Sequence, residues 1–307
     1  MSVRVGVVGV GALGQHHARV YADLPGARLA GIYDVDPARA AEVAARHGVP
    51  AFSELGELAR AADAMSVAVP TVDHHRVGRA LLEAGKDLLV EKPMTARLDE
   101  AEDLIRLARE KGAILQVGHI ERFNPAVDAL RKAALQPRFI EVHRLSPFSP
   151  RSLDVDVVLD LMIHDLDIVL CLDGSGAVQV DAVGVPVLTA KVDIANVRLR
   201  FASGLIANLT ASRVSADRVR KFRVFSPKTY ISVDFAARSA QVYRLVQGKD
   251  GPEITTEKTA APDEEPLRRQ LAAFVDAVRE RSEPAVTGAD GLRALGLAHT
   301  ILARMDE

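Results

Sequence analysis

A short apolar segment followed by a glycine pattern, near the start of the chain, most constrains the fold. The residues Val5–Val8 have the β-branched character of a buried strand, and Gly9-Val-Gly11-Ala-Leu-Gly14 follows at once. Glycine at these three positions permits a tight turn, close approach of the backbone to a pyrophosphate, and close packing of helix on strand. An amphipathic run comes next, whose free N–H groups would face the phosphates. A GxGxxG pattern alone is weak evidence for a dinucleotide site, so the surrounding sequence must support that interpretation.

The context is a second predicted strand, Arg28–Tyr33, which ends in Asp34. That position lies about 20 residues beyond the glycines, where a carboxylate accepts hydrogen bonds from the adenosine ribose. The pattern therefore predicts a dinucleotide site. Asp34 would repel a 2'-phosphate, which favours NAD over NADP, while Arg39 is expected on a solvated helix face. The predicted contacts at the turn are Gly9, Gly11, Ala12, Leu13, Gly14 and Asp34.

Strand and helix patterns alternate through the first 120 residues and then give way to extended segments. The first pattern is typical of a doubly wound parallel sheet, and the second of a mostly antiparallel sheet. We therefore predict an α/β protein with a Rossmann domain over 1–119 and an α+β domain over 120–307. The second domain, with its large open sheet, would bind substrate and form oligomers. The last helix could pack back on the first domain, and 247–266 reads as a surface loop.

Composition excludes several classes of protein. The net charge of −2 over 307 residues gives no long-range attraction for nucleic acid or an acidic membrane. The single cysteine, Cys171, rules out an intrachain disulfide and a thiolate zinc site, so we expect no metal and a cytoplasmic location. We see no signal peptide and no membrane-spanning run.

Polar residues follow several of the predicted strands, at the sheet edge where ligands bind. Glu91, Lys92 and Pro93 come directly after a buried strand, and a lysine there can stabilise an alkoxide as its proton leaves. A solvated loop is the simpler interpretation of that tripeptide alone. Pro70, Thr71 and His74 follow the third strand and could meet the ribose and nicotinamide.

Two further groups of residues carry possible chemistry. Asp160, His164 and Asp167 recur at i, i+4 and i+7 in a predicted helix from Val157 to Leu172, so they would share one face. A carboxylate one turn away can orient an imidazole that acts as a general base, although a satisfied core histidine is the alternative. In the Gly118–Pro125 segment, the residues His119, Arg122 and Asn124 could bind substrate or cap a helix.

Together these motifs resemble the Gfo/Idh/MocA family (glucose-fructose oxidoreductase and inositol dehydrogenase) over essentially the whole chain. The resemblance rests on the glycine pattern, Asp34, the elements at 70–74, 91–93 and 118–125, and the Asp160-x-x-x-His164 pair. Members oxidise a sugar or cyclitol hydroxyl with a nicotinamide cofactor. The resemblance implies that Lys92, Asp160 and His164 are catalytic.

Within the family, the fragments at 117–127 and 160–170 are similar to members that oxidise C3 of a UDP-N-acetylhexosamine. Such a substrate carries a diphosphate, and six cations could meet it, although arginines at strand ends are usually solvated. A free sugar, inositol, or a non-catalytic NAD-binding sensor of the same fold remain alternatives. The uncovered sheet face predicts a homodimer or homotetramer. The six cations are Arg144, Arg151, Arg213, Arg218, Arg220 and Lys221.

Overall fold

The structure is a computed structural model that describes residues 2–133, 135–149, 155–249, 251–260 and 264–305. The chain forms two compact units, each assembled from two separate segments. The first unit contains residues 1–120 and 265–292, and the second contains 121–264 and 293–307. The boundary expected from sequence, between residues 119 and 120, treats each domain as one continuous segment. It therefore misses the second, later segment that each unit contains. No helix within the described ranges is both long enough and apolar enough to cross a membrane.

The first unit has a five-stranded parallel sheet of order β2-β1-β3-β4-β5, as the alternating pattern predicts. Each strand leads into the loop or helix where a candidate residue lies. Its elements are β1 (Val3–Val8), α1 (Gly14–Ala22), β2 (Ala27–Tyr33), α2 (Pro37–His47), α3 (Leu55–Ala61), β3 (Ala64–Val67), α4 (Thr71–Glu83), β4 (Asp87–Glu91), α5 (Leu98–Lys111) and β5 (Leu115–Gly118).

A later helix, α8 (Pro266–Glu280), completes this unit. Its apolar face, which includes Leu267, Leu271 and Phe274, is buried in the same core as Val5 of β1. The amphipathic pattern of α8 is visible in the sequence, but its partner is about 250 residues away and no local signal identifies it. The helix that returns to the first unit is therefore α8, whereas most of the last helix (Gly288–Met305) belongs to the second unit.

The second unit is built on an eight-stranded sheet of order β13-β12-β11-β10-β6-β9-β8-β7. All neighbouring pairs are antiparallel except β6 with β9, so the expected sheet type is confirmed. Its elements are two 3-10 turns (Ile120–Phe123 and Pro125–Val127), α6 (Asp128–Lys132), β6 (Phe139–Leu145), a π-helical turn (Val158–Met162), α7 (Ile163–Asp173), β7 (Ala177–Val185), β8 (Ile194–Phe201), β9 (Ile206–Ser212), β10 (Val219–Ser226), β11 (Thr229–Asp234), β12 (Ser239–Gln247), β13 (Pro252–Ala260) and α9 (Gly288–Met305).

Two local expectations are wrong. The segment 247–266, predicted as a surface loop, contains β13, which pairs with β12 along its whole length. The charged, threonine-rich sequence of β13 does not indicate that its backbone groups are paired in a sheet. The helix predicted from Val157 is not α-helical at its start. Val158–Met162 forms a π turn, in which Ile163 N–H donates to the Val158 carbonyl. Such turns are often found at functional sites.

Candidate active site

The glycine turn after β1 has the geometry that a bound pyrophosphate needs. Gly9 adopts φ +81°, and its N–H donates to the Tyr33 carbonyl at 2.8 Å. A Cβ at Gly14 would lie 1.8 Å from the Gly9 carbonyl oxygen, so only glycine lets α1 begin this close to the turn. A Cβ at Gly11 would meet nothing within 4 Å. The backbone is therefore open on the side where the dinucleotide would approach.

Asp34 closes the turn from the end of β2. Its carboxylate accepts hydrogen bonds from the Val10 N–H at 2.7 Å and from the Asp36 N–H at 2.9 Å. Arg39 lies on α2 with Nη1 3.7 Å from Asp34 Oδ1, and it lines a cavity of about 460 Å³ beside Gly11. Arg39 is half-exposed, as expected for a solvated helix face, but it also faces the cavity, which was not expected.

His74 holds the loop after β3 against the loop after β4. The first turn of α4 begins at Thr71, with Pro70 before it, and His74 is buried. Its Nδ1 lies 2.9 Å from the Pro93 carbonyl oxygen and its Nε2 lies 3.0 Å from the Val69 carbonyl oxygen. Burial lowers the pKa of His74 despite these carbonyl groups. His74 therefore ties the loop after β3 to the loop after β4.

Glu91, at the end of β4, is the centre of a buried polar network. His17 Nε2 lies 3.3 Å from Glu91 Oε1, and Gln270 of α8 donates to the same oxygen at 3.1 Å. Burial would raise the pKa of Glu91, but the neighbouring His17, the hydrogen bond from Gln270 and the charge of Lys92 outweigh it and hold the pKa below its usual range. The other His17 nitrogen meets the Ser66 hydroxyl at 2.7 Å. The network fixes the backbone that carries Lys92.

The glycine that ends β5 makes room for this carboxylate. A Cβ at Gly118 would lie 2.5 Å from Glu91 Oε1. The peptide bond between Lys92 and Pro93 is cis. Lys92 itself is partly buried, whereas His119, the next residue after Gly118, is buried.

Two acidic residues of α7, Asp165 and Asp167, lie inside the second unit, each against an arginine. Asp165 accepts from Arg144 Nε and Nη2 at 2.6 and 2.8 Å. Asp167 accepts from Arg122 Nε and Nη2 at 2.6 and 2.7 Å. All four side chains are buried, and Ile163–Leu170 is buried on every side. Arg122 therefore has a buried structural partner on the helix that carries the candidate base.

The remaining candidates of this unit occupy different surroundings. Asn124 accepts a hydrogen bond from the Ala126 N–H at 3.1 Å and donates to Glu121 at 3.2 Å, so it caps the second 3-10 turn. His164 is nearly buried at 9% exposure, whereas Asp160 in the π turn is partly exposed. The structure thus gives Asn124 the capping role that the sequence offered as an alternative.

Sequence reasoning missed five residues that surround the candidates. Gln270 and His17 carried no local signal, because they reach Glu91 from other parts of the chain. Asp165 was overlooked because it lies beside His164 rather than one turn away. The other two are Glu121 and Arg144, of which Arg144 was considered only as a phosphate ligand.

A parallel five-stranded sheet, an open glycine turn, a carboxylate after β2 and a lysine after β4 define a dinucleotide-binding oxidoreductase. Comparison with known families gives the same class. The family model described as "Oxidoreductase family, NAD-binding Rossmann fold" matches residues 3–119, and the "GFO/IDH/MocA C-terminal domain" matches residues 136–232. The chain belongs to the Gfo/Idh/MocA family of NAD-binding oxidoreductases.

Its relatives include dehydrogenases of two substrate classes. A UDP-N-acetylglucosamine 3-dehydrogenase from Acidithiobacillus ferrooxidans is 40% identical over 299 residues, which cover 96% of this chain and 95% of that protein. A crystal structure of that enzyme has a TM-score of 0.93, with 100% and 98% of the two chains covered at 38% identity. An inositol 2-dehydrogenase from Rhizobium meliloti is 27% identical and covers 100% of this chain and 98% of its own.

Proposed function

We propose that this chain oxidises the C3 hydroxyl of UDP-N-acetylglucosamine to a ketone with NAD as the acceptor. The observation that carries the proposal is the 40% identity to a UDP-N-acetylglucosamine 3-dehydrogenase along nearly the full length of both proteins. The match extends through the second domain. The inositol 2-dehydrogenase from Rhizobium meliloti matches along the full length at 27%, which makes a cyclitol the second candidate.

The residues of the first unit fit NAD. The open side of Gly11 and the glycine at position 14 leave room for a pyrophosphate against the start of α1. We propose that Gly9, Ala12 and Leu13 contribute backbone contacts, and that Asp34 accepts the ribose hydroxyls. NADP is disfavoured because its 2'-phosphate would meet that carboxylate. The loops that contain Pro70, Thr71, His74, Glu91 and Pro93 would shape the nicotinamide half of the site.

We assign the chemistry to three side chains. His164 removes the proton of the substrate hydroxyl, and Lys92 stabilises the alkoxide that develops on that oxygen. Asp160 orients the sugar or the imidazole, and the bound nicotinamide supplies the hydride acceptor. Burial of His164 excludes water from the proton transfer. His119 is the remaining substrate-contact candidate.

A substrate panel tests this assignment. NADH formation is followed by absorbance with UDP-N-acetylglucosamine, UDP-glucose, N-acetylglucosamine, myo-inositol and scyllo-inositol. We expect turnover with the first and little with the free polyols. Lys92→Met and His164→Asn should each abolish turnover while NAD affinity changes less than about threefold. Turnover of inositol alone would contradict the substrate assignment, and wild-type rates in both variants would contradict the residue roles.

A non-catalytic sensor gives a different result in the same experiment. It would bind NADH but form none with any compound of the panel. The presence of Lys92, Asp160 and His164 together supports an enzyme, since binding alone does not require the set.

The lone cysteine supports a reaction in the cytoplasm.

We also propose that the chain forms a homodimer or homotetramer through the open face of the second-unit sheet. Four aromatic rings form a row across β6, β10, β11 and β12 on that face, with neighbouring centroids 5.6, 4.8 and 5.3 Å apart. An aromatic row on a sheet face favours burial against a second copy. Tyr230→Arg should shift the sedimentation coefficient towards the monomer. The four residues are Phe139, Phe225, Tyr230 and Tyr243.

A further inference from the structure

Two arginines face each other across neighbouring strands of the second unit. Arg220 of β10 lies directly opposite Arg144 of β6, and the next pair on the same face, Phe222 with Val142, is buried. Both guanidinium groups are therefore on the face of the sheet that carries the core. Like charges directly opposite each other destabilise a sheet. Some other group must compensate the second charge.

The positive charge of Arg144 is compensated by neighbouring groups of the second unit. Arg144 donates to Asp165 through two nitrogens and to Glu121 Oε1 at 2.9 Å, and its guanidinium lies 5.4 Å from the Phe235 ring centroid. Burial lowers the pKa of Arg144, but Asp165 and Glu121 outweigh it and raise the pKa above its usual value. Both carboxylates of this cluster are thus engaged by one arginine.

Arg220 shares a carboxylate that is already used. Its Nη1 lies 3.8 Å from Glu121 Oε1, beyond hydrogen-bond distance, and about a third of its side chain is exposed. Burial, together with the charges of Arg144 and Arg218, lowers the pKa of Arg220. Arg218 precedes it by two residues and is exposed. The cluster of Arg144, Arg218, Arg220, Glu121 and Asp165 therefore contains three guanidinium groups and two carboxylates, and it opens to solvent at Arg218 and Arg220.

The other cations considered for a diphosphate have different partners. Arg213 is buried against Asp193, with Nε 2.8 Å from Oδ1. Lys221 points to the opposite face of the sheet from Arg220 and lies 2.6 Å from Asp234. Arg151 lies outside the described residues. Among the cations that the structure describes, this leaves Arg218 and Arg220 as the pair with capacity for an external anion.

We propose that Arg218 and Arg220 bind the diphosphate of a nucleotide-sugar substrate, with Arg144 as the fixed charge behind them. This inference rests on the proposed function and names the residues that select the substrate class. Guanidinium groups bind phosphate oxygens through paired hydrogen bonds, and two phosphates supply the negative charge that the cluster lacks. Arg144 also joins the cluster to α7 through Asp165, the residue after His164. A free sugar or inositol carries no group that would use this site.

The test is the binding of UDP to the NAD-saturated protein, measured by calorimetry. Arg218→Gln and Arg220→Gln should each weaken UDP about tenfold or more, as expected for loss of a charged hydrogen-bond donor. Arg220→Lys should recover part of the affinity. The control is Arg223→Gln on the same strand, whose side chain is on the opposite face and pairs with Glu141 at 2.7 Å. It should leave UDP affinity unchanged.

Kinetics separate this inference from the proposed function. With UDP-N-acetylglucosamine, the two glutamine variants should raise KM while kcat changes less than about threefold. Equal UDP affinity in wild type, Arg218→Gln and Arg220→Gln would overturn the inference, and so would an equal loss in Arg223→Gln. If the wild type oxidises only inositol, the proposed function fails. UDP binding then still tests the inference. Loss of UDP binding in Arg220→Gln would support an anion site at these arginines, and absence of UDP binding in the wild type would overturn it.

Discussion

The buried pair of Arg122 and Asp167 offers a sharp test of whether Arg122 stabilises the fold or binds substrate. The two side chains make hydrogen bonds of 2.6 and 2.7 Å, with 6% and 1% of their surfaces exposed. Arg122→Met removes the guanidinium and leaves the Asp167 carboxylate in the interior. Breaking a buried ion pair from one side costs about 3 to 5 kcal/mol of the free energy of unfolding. For a domain of about 150 to 250 residues, this lowers Tm by roughly 6 to 20 °C.

A second variant separates the lost pair from the lost arginine. Replacing both members, Arg122→Met with Asp167→Leu, removes the uncompensated charge and should recover most of the lost stability, because apolar substitutes for a buried pair are often neutral. Arg244→Met is the control. Its partner Glu257 is mostly exposed, and surface pairs contribute about 0 to 1 kcal/mol.

Scanning calorimetry and steady-state kinetics give the two readouts. We expect a large fall of Tm in the single variant, recovery in the double variant, and near-normal KM in the double variant. If Arg122 binds substrate, both variants should raise KM strongly and Tm should hardly move. That second pattern would refute the structural role.

Three further predictions concern the first unit. Gly14→Ala should abolish NADH binding, measured by fluorescence quenching, because the added Cβ would overlap the Gly9 carbonyl oxygen; retained affinity would contradict the described turn. Gln270→Leu should raise the pKa of Glu91 by removing a hydrogen bond to it. Because the folded-state pKa lies below the unfolded one, Glu91 stabilises the fold at neutral pH and this contribution is lost as the pH falls, so the acid unfolding midpoint of the variant should move to higher pH; an unchanged midpoint would count against the network. Asp34→Asn should lower the ratio of kcat/KM for NAD to that for NADP by about tenfold, since it removes one charge that meets the ribose; an unchanged ratio would show that Asp34 does not select the cofactor.

The first domain was predictable because its signals are local. A strand, three glycines and Asp34 specify the turn within about 30 residues of sequence, and the alternating pattern specifies the parallel sheet. The extended segments likewise indicated the second sheet. The return of α8 was not readable, because an amphipathic helix shows that it has an apolar face but not which surface covers it.

The polar interior of the second unit was harder to predict. Spacing alone suggested one polar face for Asp160, His164 and Asp167, on the assumption of a regular α-helix. The π turn and the burial of residues 163–170 of α7 change that picture, since Asp165 and Asp167 each require an arginine from elsewhere in the chain. Partners such as Arg144 come from distant strands, and no periodic pattern identifies them.

The most direct measurement uses UDP-N-acetylglucosamine that carries deuterium at C3, incubated with NAD and the protein. We predict deuterated NADH, a 3-keto sugar by mass spectrometry, a primary isotope effect on the rate, and loss of all three in His164→Asn. Formation of NADH without deuterium would place the oxidation at another carbon. No NADH from this substrate, together with NADH from inositol, would contradict the proposed function.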